Sequence, residues 1–484
     1  MLVTPAGFRH TSRVMGSNRS IVATAAFLCA LLAATACATP PPQARAAQER
    51  LLAGDLRGAE AAIDEGLVQH PRDSSLWNLR IRVRALRGDN ARAVADWREW
   101  RQLRGGPDLG ALRAIAKLTL WNGTKSDSAE VRVAAIEAAW ALDDDELAEP
   151  VAHLLDDDDE VVRASAAAAL LRSHPDAPAV LNDALKSPEP RARRIAIATL
   201  GDKVGAPARA DIVDGLADQD ASVRTAACVA LGRVKNADDA ARLVAAAKDA
   251  DGNVRAAALR ALADVQARAG VDVARAALAD SYLGARLAAV ELLDHALGAD
   301  ARVDLERVAA GADAFSALRA GVALARRGAR APGTAALKTA SAAKQWTVRA
   351  AAANAVVSIV GKGDAPAYLA AFATDAEPAV RLAAARAYIQ ADRLVDAARL
   401  LGEALLAPDE SARLQATIDL QRLSDARAAA AWDTLLASAE PGIREQAVAA
   451  LRSGGPLADG LVGALADASW KVRIAAAWSV LARR

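Results

Sequence analysis

A twelvefold repeat with a period near 31 residues dominates the chain from about residue 125 onward. Two copies are DASVRTAACVAL at 220–231 and DGNVRAAALRAL at 251–262. One position, called the slot below, recurs at spacings of 29 to 32 residues, and an alanine follows it by three residues in every copy. The slots hold Arg132, Arg163, Arg193, Arg224, Arg255, Arg286, Ala317, Arg349, Arg381, Arg413, Arg444 and Arg473. Such a period predicts a stack of like units, since one unit alone buries too little apolar surface to fold.

Each unit is predicted to be two helices joined by an acidic turn. The positions one before, three after and seven after the slot lie on one face of the second helix. They are mostly valine, alanine and leucine, so the apolar stripe has a small residue in its middle that lets a neighbouring helix approach closely. The composition agrees, because 53% of the residues are hydrophobic but only 3% are aromatic. The sequence therefore predicts an all-α fold.

The repeated pattern D-x-x-x-[VI]-R-x-x-A resembles the HEAT repeat, in the short bacterial form that also occurs in bilin lyases. This resemblance implies a right-handed α-solenoid of stacked helical hairpins, with about twelve repeats in residues 106–484. It also implies that the turn acid and the arginine form hydrogen-bonded ladders between repeats. Seven slots have an acid four residues earlier, which would also suit a helix N-terminus: Asp159, Glu189, Asp220, Asp251, Glu377, Asp409 and Glu440.

The seventh repeat departs from the pattern. Ala317 replaces the slot arginine, and Gly321 lies in the interior of the second helix. A glycine there costs about 1 kcal/mol of helix stability. We expect residues 300–335 to be the weakest part of the array, with less protection from hydrogen exchange than residues 220–262.

A different period precedes the array. Gly54-Asp55 recurs as Gly88-Asp89, and Ala59 recurs as Ala93, both at a spacing of 34 residues. Residues 43–105 therefore resemble a pair of tetratricopeptide repeats, with Trp77 at the large aromatic position of a first helix. A generic pair of helical hairpins is the alternative.

The first 36 residues have the features of an export signal. They carry three arginines and no acid, and an uninterrupted run of apolar and small residues occupies 21–36. Sixteen residues are too few for a membrane span, which needs about 20. The run ends at Ala34-Thr35-Ala36-Cys37, which resembles a bacterial lipobox although Ala34 stands where leucine is preferred. We predict a signal peptide at 1–36, lipidation of Cys37 and a Pro-rich tether at 37–42. A cleaved soluble form and an uncleaved anchor are the alternatives.

The sequence offers little catalytic or metal-binding chemistry. It contains no HExxH, CxxC or Walker motif, and no calcium loop of the D-x-D-x-D-G type. Cys228 lies in an apolar helix and is predicted to be a core residue. We therefore predict no enzyme activity, no metal and no cofactor. The candidate binding residues are aromatics near turns or off the apolar stripe, because aromatic side chains anchor interfaces: Trp346, Trp470 and Trp478.

These features favour an exported scaffold that binds a protein or peptide partner along the solenoid surface. The lipid would be its only link to the membrane, at the periplasmic side of the outer membrane of a bacterial envelope. The first alternative is an enzyme or enzyme subunit of the bilin-lyase kind, against which the export signal stands. The second alternative is a nucleic-acid binder similar to the HEAT-like DNA glycosylases. A formal net charge of only +1, which becomes about −2 once residues 1–36 are removed, disfavours nucleic acid as a partner.

Overall fold

The computed structural model describes residues 40–142, 144–296, 299–453 and 459–483, and these residues form α-helices and connecting turns without a β-strand. The all-α solenoid predicted from the sequence is confirmed. The predicted signal peptide and Cys37 lie outside the described residues.

The chain divides into two compact units. The terminal unit combines Met1–Val180 with Asp433–Arg484, and the middle unit is Leu181–Trp432. The units therefore do not divide at residue 105, where the repeat type changes in the sequence. Among the described residues, no helix is both long and apolar enough to cross a membrane.

The helices alternate along the chain as the first and second members of hairpins. Before the middle of the array they are α1 (Pro42–Leu52), α2 (Leu56–Gln69), α3 (Ser74–Leu86), α4 (Asn90–Arg104), α5 (Leu109–Gly123), α6 (Ala129–Leu142), α7 (Asp145–Ala152), α8 (Glu160–Leu170), α9 (Ala177–Ala184), α10 (Pro190–Thr199), α11 (Arg209–Asp214), α12 (Ala221–Val234), α13 (Ala240–Ala246) and α14 (Gly252–Gln266). They continue with α15 (Val271–Ala277), α16 (Leu283–His295), α17 (Ala299–Ala309), α18 (Ala314–Arg326), α19 (Arg330–Ser341), α20 (Trp346–Val360), α21 (Ala365–Ala373), α22 (Pro378–Gln390), α23 (Leu394–Ala404), α24 (Glu410–Arg422), α25 (Arg427–Leu436), α26 (Pro441–Ala450), α27 (Asp459–Ala464) and α28 (Trp470–Leu481).

The alanine three residues after the slot is the packing centre of each repeat. All twelve of these alanines are fully buried. The second helices α12, α14 and α16 pack side by side along their length. A Cβ atom on Gly232 of α12 would lie only 3.2 Å from the Cα atom of Ala261 of α14. The small residues therefore set the close spacing of the stack.

The turn acids four residues before the slots are helix caps rather than partners of the slot arginine. Asp159 accepts hydrogen bonds from the amides of Val161 and Val162, and Asp251 accepts from those of Asn253 and Val254. Such side-chain caps satisfy amides that have no partner within the helix. Glu377 and Glu440 occupy the same N-cap position without a side-chain cap bond.

The glycine of the seventh repeat allows a close helix crossing. A Cβ atom on Gly321 of α18 would lie 2.6 Å from the Cα atom of Gly333 of α19, which is closer than two carbon atoms can approach. Helix propensity alone counts Gly321 as a defect. In the structure it is a packing requirement within its own hairpin.

The N-terminal hairpins have aromatic cores, in contrast to the alanine-rich repeats. Trp77 and Trp100 stack with ring centroids 6.0 Å apart, and Trp97 is fully buried with its Nε1–H donating to the Asp108 carbonyl at 2.7 Å. Gly54 and Gly88, which are 34 residues apart, both adopt a positive φ, near +78° and +77°. Only glycine takes up this left-handed conformation at little cost, so the two recurring turns are built alike.

The first and last hairpins of the described chain pack together within the terminal unit. Helix α28 lies against α5 and α6. The Asn90 side chain, itself buried, donates hydrogen bonds to the Leu465 carbonyl at 2.7 Å and to the Thr119 hydroxyl at 2.8 Å. Arg101 forms an ion pair with Asp459 at 2.6 Å. The final repeat ends on its second helix, and the face of that helix is covered by these N-terminal helices.

Candidate functional site

The slot arginines are held in one way throughout the array. Nη1 of Arg224, for example, donates to the carbonyls six and five residues earlier, those of Asp218 and Gln219, at 2.9 and 3.0 Å. This hold fixes the guanidinium against the turn that precedes its own helix. The other edge of the group, formed by Nε and Nη2 and called the fork below, is left for a further partner.

The fork binds an aspartate of the following repeat. Nε and Nη2 of Arg224 donate to the two carboxylate oxygens of Asp249 at 2.8 and 2.9 Å. Asp249 also accepts from the Asp251 amide at 2.8 Å, which orients its carboxylate. Such a link is called a rung below. The rungs are Arg132–Asp157, Arg193–Asp218, Arg224–Asp249, Arg255–Asp280, Arg286–Asp313, Arg349–Asp375 and Arg444–Asp467.

A ladder therefore exists, but the acid that the resemblance assigned to it is wrong. With the exception of Asp313, the rung aspartate lies six residues before the next slot, two residues earlier than the predicted acid. The hydrogen bonds from arginine hold the pKa values of Asp218, Asp249 and Asp280 below their ordinary value of 3.8. These carboxylates stay ionised and their arginines stay paired at neutral pH, so both are structural.

The middle unit also contains a groove on its second helices, with a volume of about 370 Å³. Helices α12 and α14 form its sides, and the start of α16 forms one end. Val229, which is 43% exposed, lines it together with the small side chains of Ala256 and Ala257. Its volume lies within the range of ligand pockets, about 300–1,000 Å³. We call it the Val229–Tyr282 groove.

Tyr282 forms the aromatic wall of this groove and is held in place by two glycines. Its hydroxyl donates to the Asn253 side-chain oxygen at 2.7 Å, and 40% of the residue is exposed. A Cβ atom on Gly252 or on Gly284 would lie 2.6 or 2.5 Å from the ring. The ring is therefore fixed before any ligand arrives, which lowers the entropic cost of binding.

Two arginines flank the groove. Arg233 approaches Asp202 at 3.3 Å and Arg260 approaches Glu291 at 3.9 Å, and both guanidinium side chains are 52% exposed. Ion pairs this long and this exposed contribute little stability. Both cations are therefore available to a partner's carboxylates, beside an apolar floor and an aromatic ring.

Sequence reasoning did not single out Tyr282 or Val229. The signal was present, because Tyr282 stands four residues before the slot Arg286, where seven other repeats have an acid. A single large apolar residue at a position that is otherwise acidic indicates a surface role rather than a cap. Val229 gave no comparable signal, since valine is common throughout the apolar stripe.

The three tryptophans proposed as binding residues have different environments. Trp346 begins α20 and is 46% exposed, in the middle unit. Trp470 and Trp478, in the terminal unit, are partly buried beneath Arg473 and Arg452, whose guanidinium carbons lie 3.9 and 3.2 Å from the ring centroids. Of the three, only Trp346 presents a largely accessible ring.

The described residues contain no group of three or more His, Cys, Asp or Glu side chains arranged to hold a metal ion. Cys228 is fully buried in α12, and burial raises the pKa of its thiol to about 12. The thiolate that would act as nucleophile or ligand is therefore absent at neutral pH.

Residues 177–252 match the family model of HEAT repeats, a span that includes α10, α11 and α12. No curated protein matches the chain.

Three solved structures illustrate the likeness to known folds. YibA of Escherichia coli is 21% identical, covers 53% of this chain and 95% of its own, and has a TM-score of 0.35. The complex of CpcE and CpcF of phycocyanin lyase from Nostoc sp. PCC7120 is 21% identical, covers 55% and 91%, and has a TM-score of 0.28. Kap95p, solved with RanGDP, is 13% identical, covers 93% and 75%, and has a TM-score of 0.40. At these identities and scores, the likenesses carry no argument about function.

Proposed function

We propose that this HEAT-repeat protein is a non-catalytic scaffold that binds a protein or peptide partner through the surface of its second helices. The observation that carries the proposal is the Val229–Tyr282 groove, with its small-residue floor, its fixed aromatic ring and its two weakly paired arginines. Clustered aromatic and arginine side chains are typical of the centres of protein interfaces.

The repeat architecture supports the same proposal. Stacked hairpins present a continuous row of helices, and a partner segment can contact several repeats at once. Residues of three successive second helices line the groove, so a segment bound there would cross α12, α14 and the start of α16.

The scaffold is further proposed to act in the cell envelope, anchored by lipid on Cys37. The basic start, the apolar run at 21–36 and the cysteine that follows it support this location. Metabolic labelling with a fatty-acid analogue tests the anchor. We expect label on the wild-type protein and none after Cys37→Ser, and label that persists in this variant contradicts the anchor.

A photo-crosslinking experiment tests the binding surface. A benzoylphenylalanine residue would replace Val229, and in a matched control it would replace Tyr368 of α21, which is 38% exposed and does not line the groove. We expect one envelope protein to be crosslinked reproducibly from position 229 and not from position 368. The double variant Val229→Glu with Tyr282→Ala should remove binding of that protein. Equal capture from both positions would count against the groove.

A further inference from the structure

Four slot arginines do not form a rung: Arg163, Arg381, Arg413 and Arg473. In three of them, the residue three positions earlier takes the guanidinium instead. Arg163 lies 3.8 Å from Glu160, Arg413 donates to Glu410 at 2.9 Å, and Arg473 stacks on Trp470. A substitute partner on the arginine's own helix thus compensates for the missing aspartate.

Arg381 is the exception. Its Nη1 donates to the Asp375 and Ala376 carbonyls at 2.7 and 3.0 Å, so the guanidinium is held as in every closed rung. Three residues earlier stands Pro378, which offers neither a charge nor a ring. Among the described residues, the Nε and Nη2 atoms of Arg381 have no hydrogen-bond or ion-pair partner.

The next repeat explains why this rung is open. The position six residues before the slot Arg413 holds Ala407 instead of aspartate. Its neighbour Leu406 is 85% exposed, and helices α22 and α24 touch over a shorter length than α12 and α14. The turn that should close the rung therefore supplies no carboxylate but exposes an aliphatic side chain.

We infer that the fork of Arg381 binds a carboxylate of the partner protein, from an aspartate or glutamate that stands beside an aliphatic residue. The closed rung one repeat earlier shows the geometry, with Asp375 accepting from Nε and Nη2 of Arg349 at 2.6 and 2.9 Å. A guanidinium already fixed by two carbonyls loses little entropy when it takes up a carboxylate in this bidentate form. Leu406 provides the apolar contact beside it. This inference rests on the proposed scaffold function and names the chemistry of one contact.

The test uses a phage library of random peptides as the probe and the full-length protein as the target. The fork is removed by Arg381→Gln, and Arg268→Gln, an exposed arginine of the same unit, is the control for loss of charge. A second pair leaves Arg381 in place. Ala407→Asp puts a carboxylate at the rung position, where it occupies the fork or repels an acidic ligand, and Ala407→Asn is its neutral match.

We expect the wild-type protein, the Arg268→Gln variant and the Ala407→Asn variant to enrich peptides with an acid next to an aliphatic residue. Binding of those peptides should fall roughly fivefold in Arg381→Gln and in Ala407→Asp, as expected for the loss of one exposed charged hydrogen-bonded pair. It should also weaken as salt is added. The absence of acid-containing peptides from the wild-type selection overturns the inference, and so does equal binding by Arg381→Gln. If the peptides bind Arg381→Gln normally but lose binding in the groove double variant, the scaffold proposal stands and only this contact is wrong.

Discussion

The middle unit and the terminal unit are both built from helical hairpins, but their hairpins are joined in different ways. In the middle unit, each repeat is linked to the next by an aspartate about 25 residues beyond its slot arginine, as in Arg224–Asp249. In the terminal unit, Asn90 contacts Leu465, 375 residues away, and buried Asp96 lies between Arg80 and Arg84. A one-dimensional stack depends on neighbours, whereas the terminal unit depends on contacts between distant parts of the chain.

The cores differ in the same way. Alanine packing spreads the stability of the middle unit evenly over many small contacts. The terminal unit relies on a few large residues, among them Trp77, Trp97 and Trp100. Single substitutions should therefore have larger effects in the terminal unit, except where the alanine stack depends on a glycine.

The largest effect is expected from Trp97→Ala. Trp97 is fully buried and its indole N–H is hydrogen-bonded, so its removal leaves a cavity and should cost about 3–5 kcal/mol. Urea unfolding followed by circular dichroism measures this loss. Trp346→Ala, at an exposed ring of the middle unit, is the control and should change the free energy of unfolding by less than about 0.5 kcal/mol. Similar losses in both variants would contradict the difference between the cores.

The second effect is a reversal of sign at Gly321. Helix propensity predicts that Gly321→Ala stabilises the protein, but the new Cβ atom would collide with Gly333, so we expect a loss of about 1–3 kcal/mol. Gly442→Ala is the control, because no atom lies within 4 Å of its new Cβ atom and a small gain is expected. Thermal unfolding of both variants decides between packing and propensity. A gain in Gly321→Ala would show that repeat seven is simply weak.

The third effect concerns the contact between the two ends of the described chain. Asn90→Ala removes the hydrogen bond to the Leu465 carbonyl and should cost about 1–2 kcal/mol. Hydrogen exchange should become faster in α27 and α28 although the substitution lies in α4. Asn122→Ala, which breaks a bond to the Ala85 carbonyl between neighbouring hairpins, is the control and should leave α27 unchanged. Unchanged exchange in α27 and α28 of Asn90→Ala would mean that this contact does not hold them.

A smaller effect is expected from breaking one rung. Asp249→Asn weakens a partly buried pair with Arg224 and should cost about 1 kcal/mol. Asp272→Asn is the control, since that carboxylate is 95% exposed and its pair with Arg275 should contribute almost nothing. Equal unfolding midpoints for both variants would show that the rungs position the repeats without stabilising them.

The rungs also predict a pH dependence. The pKa values of Asp218, Asp249 and Asp280 are held low by arginine hydrogen bonds in the folded protein. Carboxyls with depressed folded pKa values contribute stability above their unfolded pKa and lose it as the pH falls through the folded pKa. The free energy of unfolding should therefore decline below about pH 4, and less steeply in Asp249→Asn. A flat profile down to about pH 2 would contradict the paired ladder.

The sequence determined the period, the all-α class and the burial of every slot alanine, because these depend on local helical spacing and on contacts between successive repeats. It also contained the rung aspartates, but the resemblance pointed to the caps two residues later, and only the structure distinguished the two acids. The tertiary structure alone decided that Gly321 is needed by Gly333, that Tyr282 walls a groove and that Asn90 reaches Leu465. The physical reason is that repeat periodicity encodes contacts between neighbours in the chain. Contacts between distant segments, and the space left between packed helices, depend on how the whole backbone is arranged.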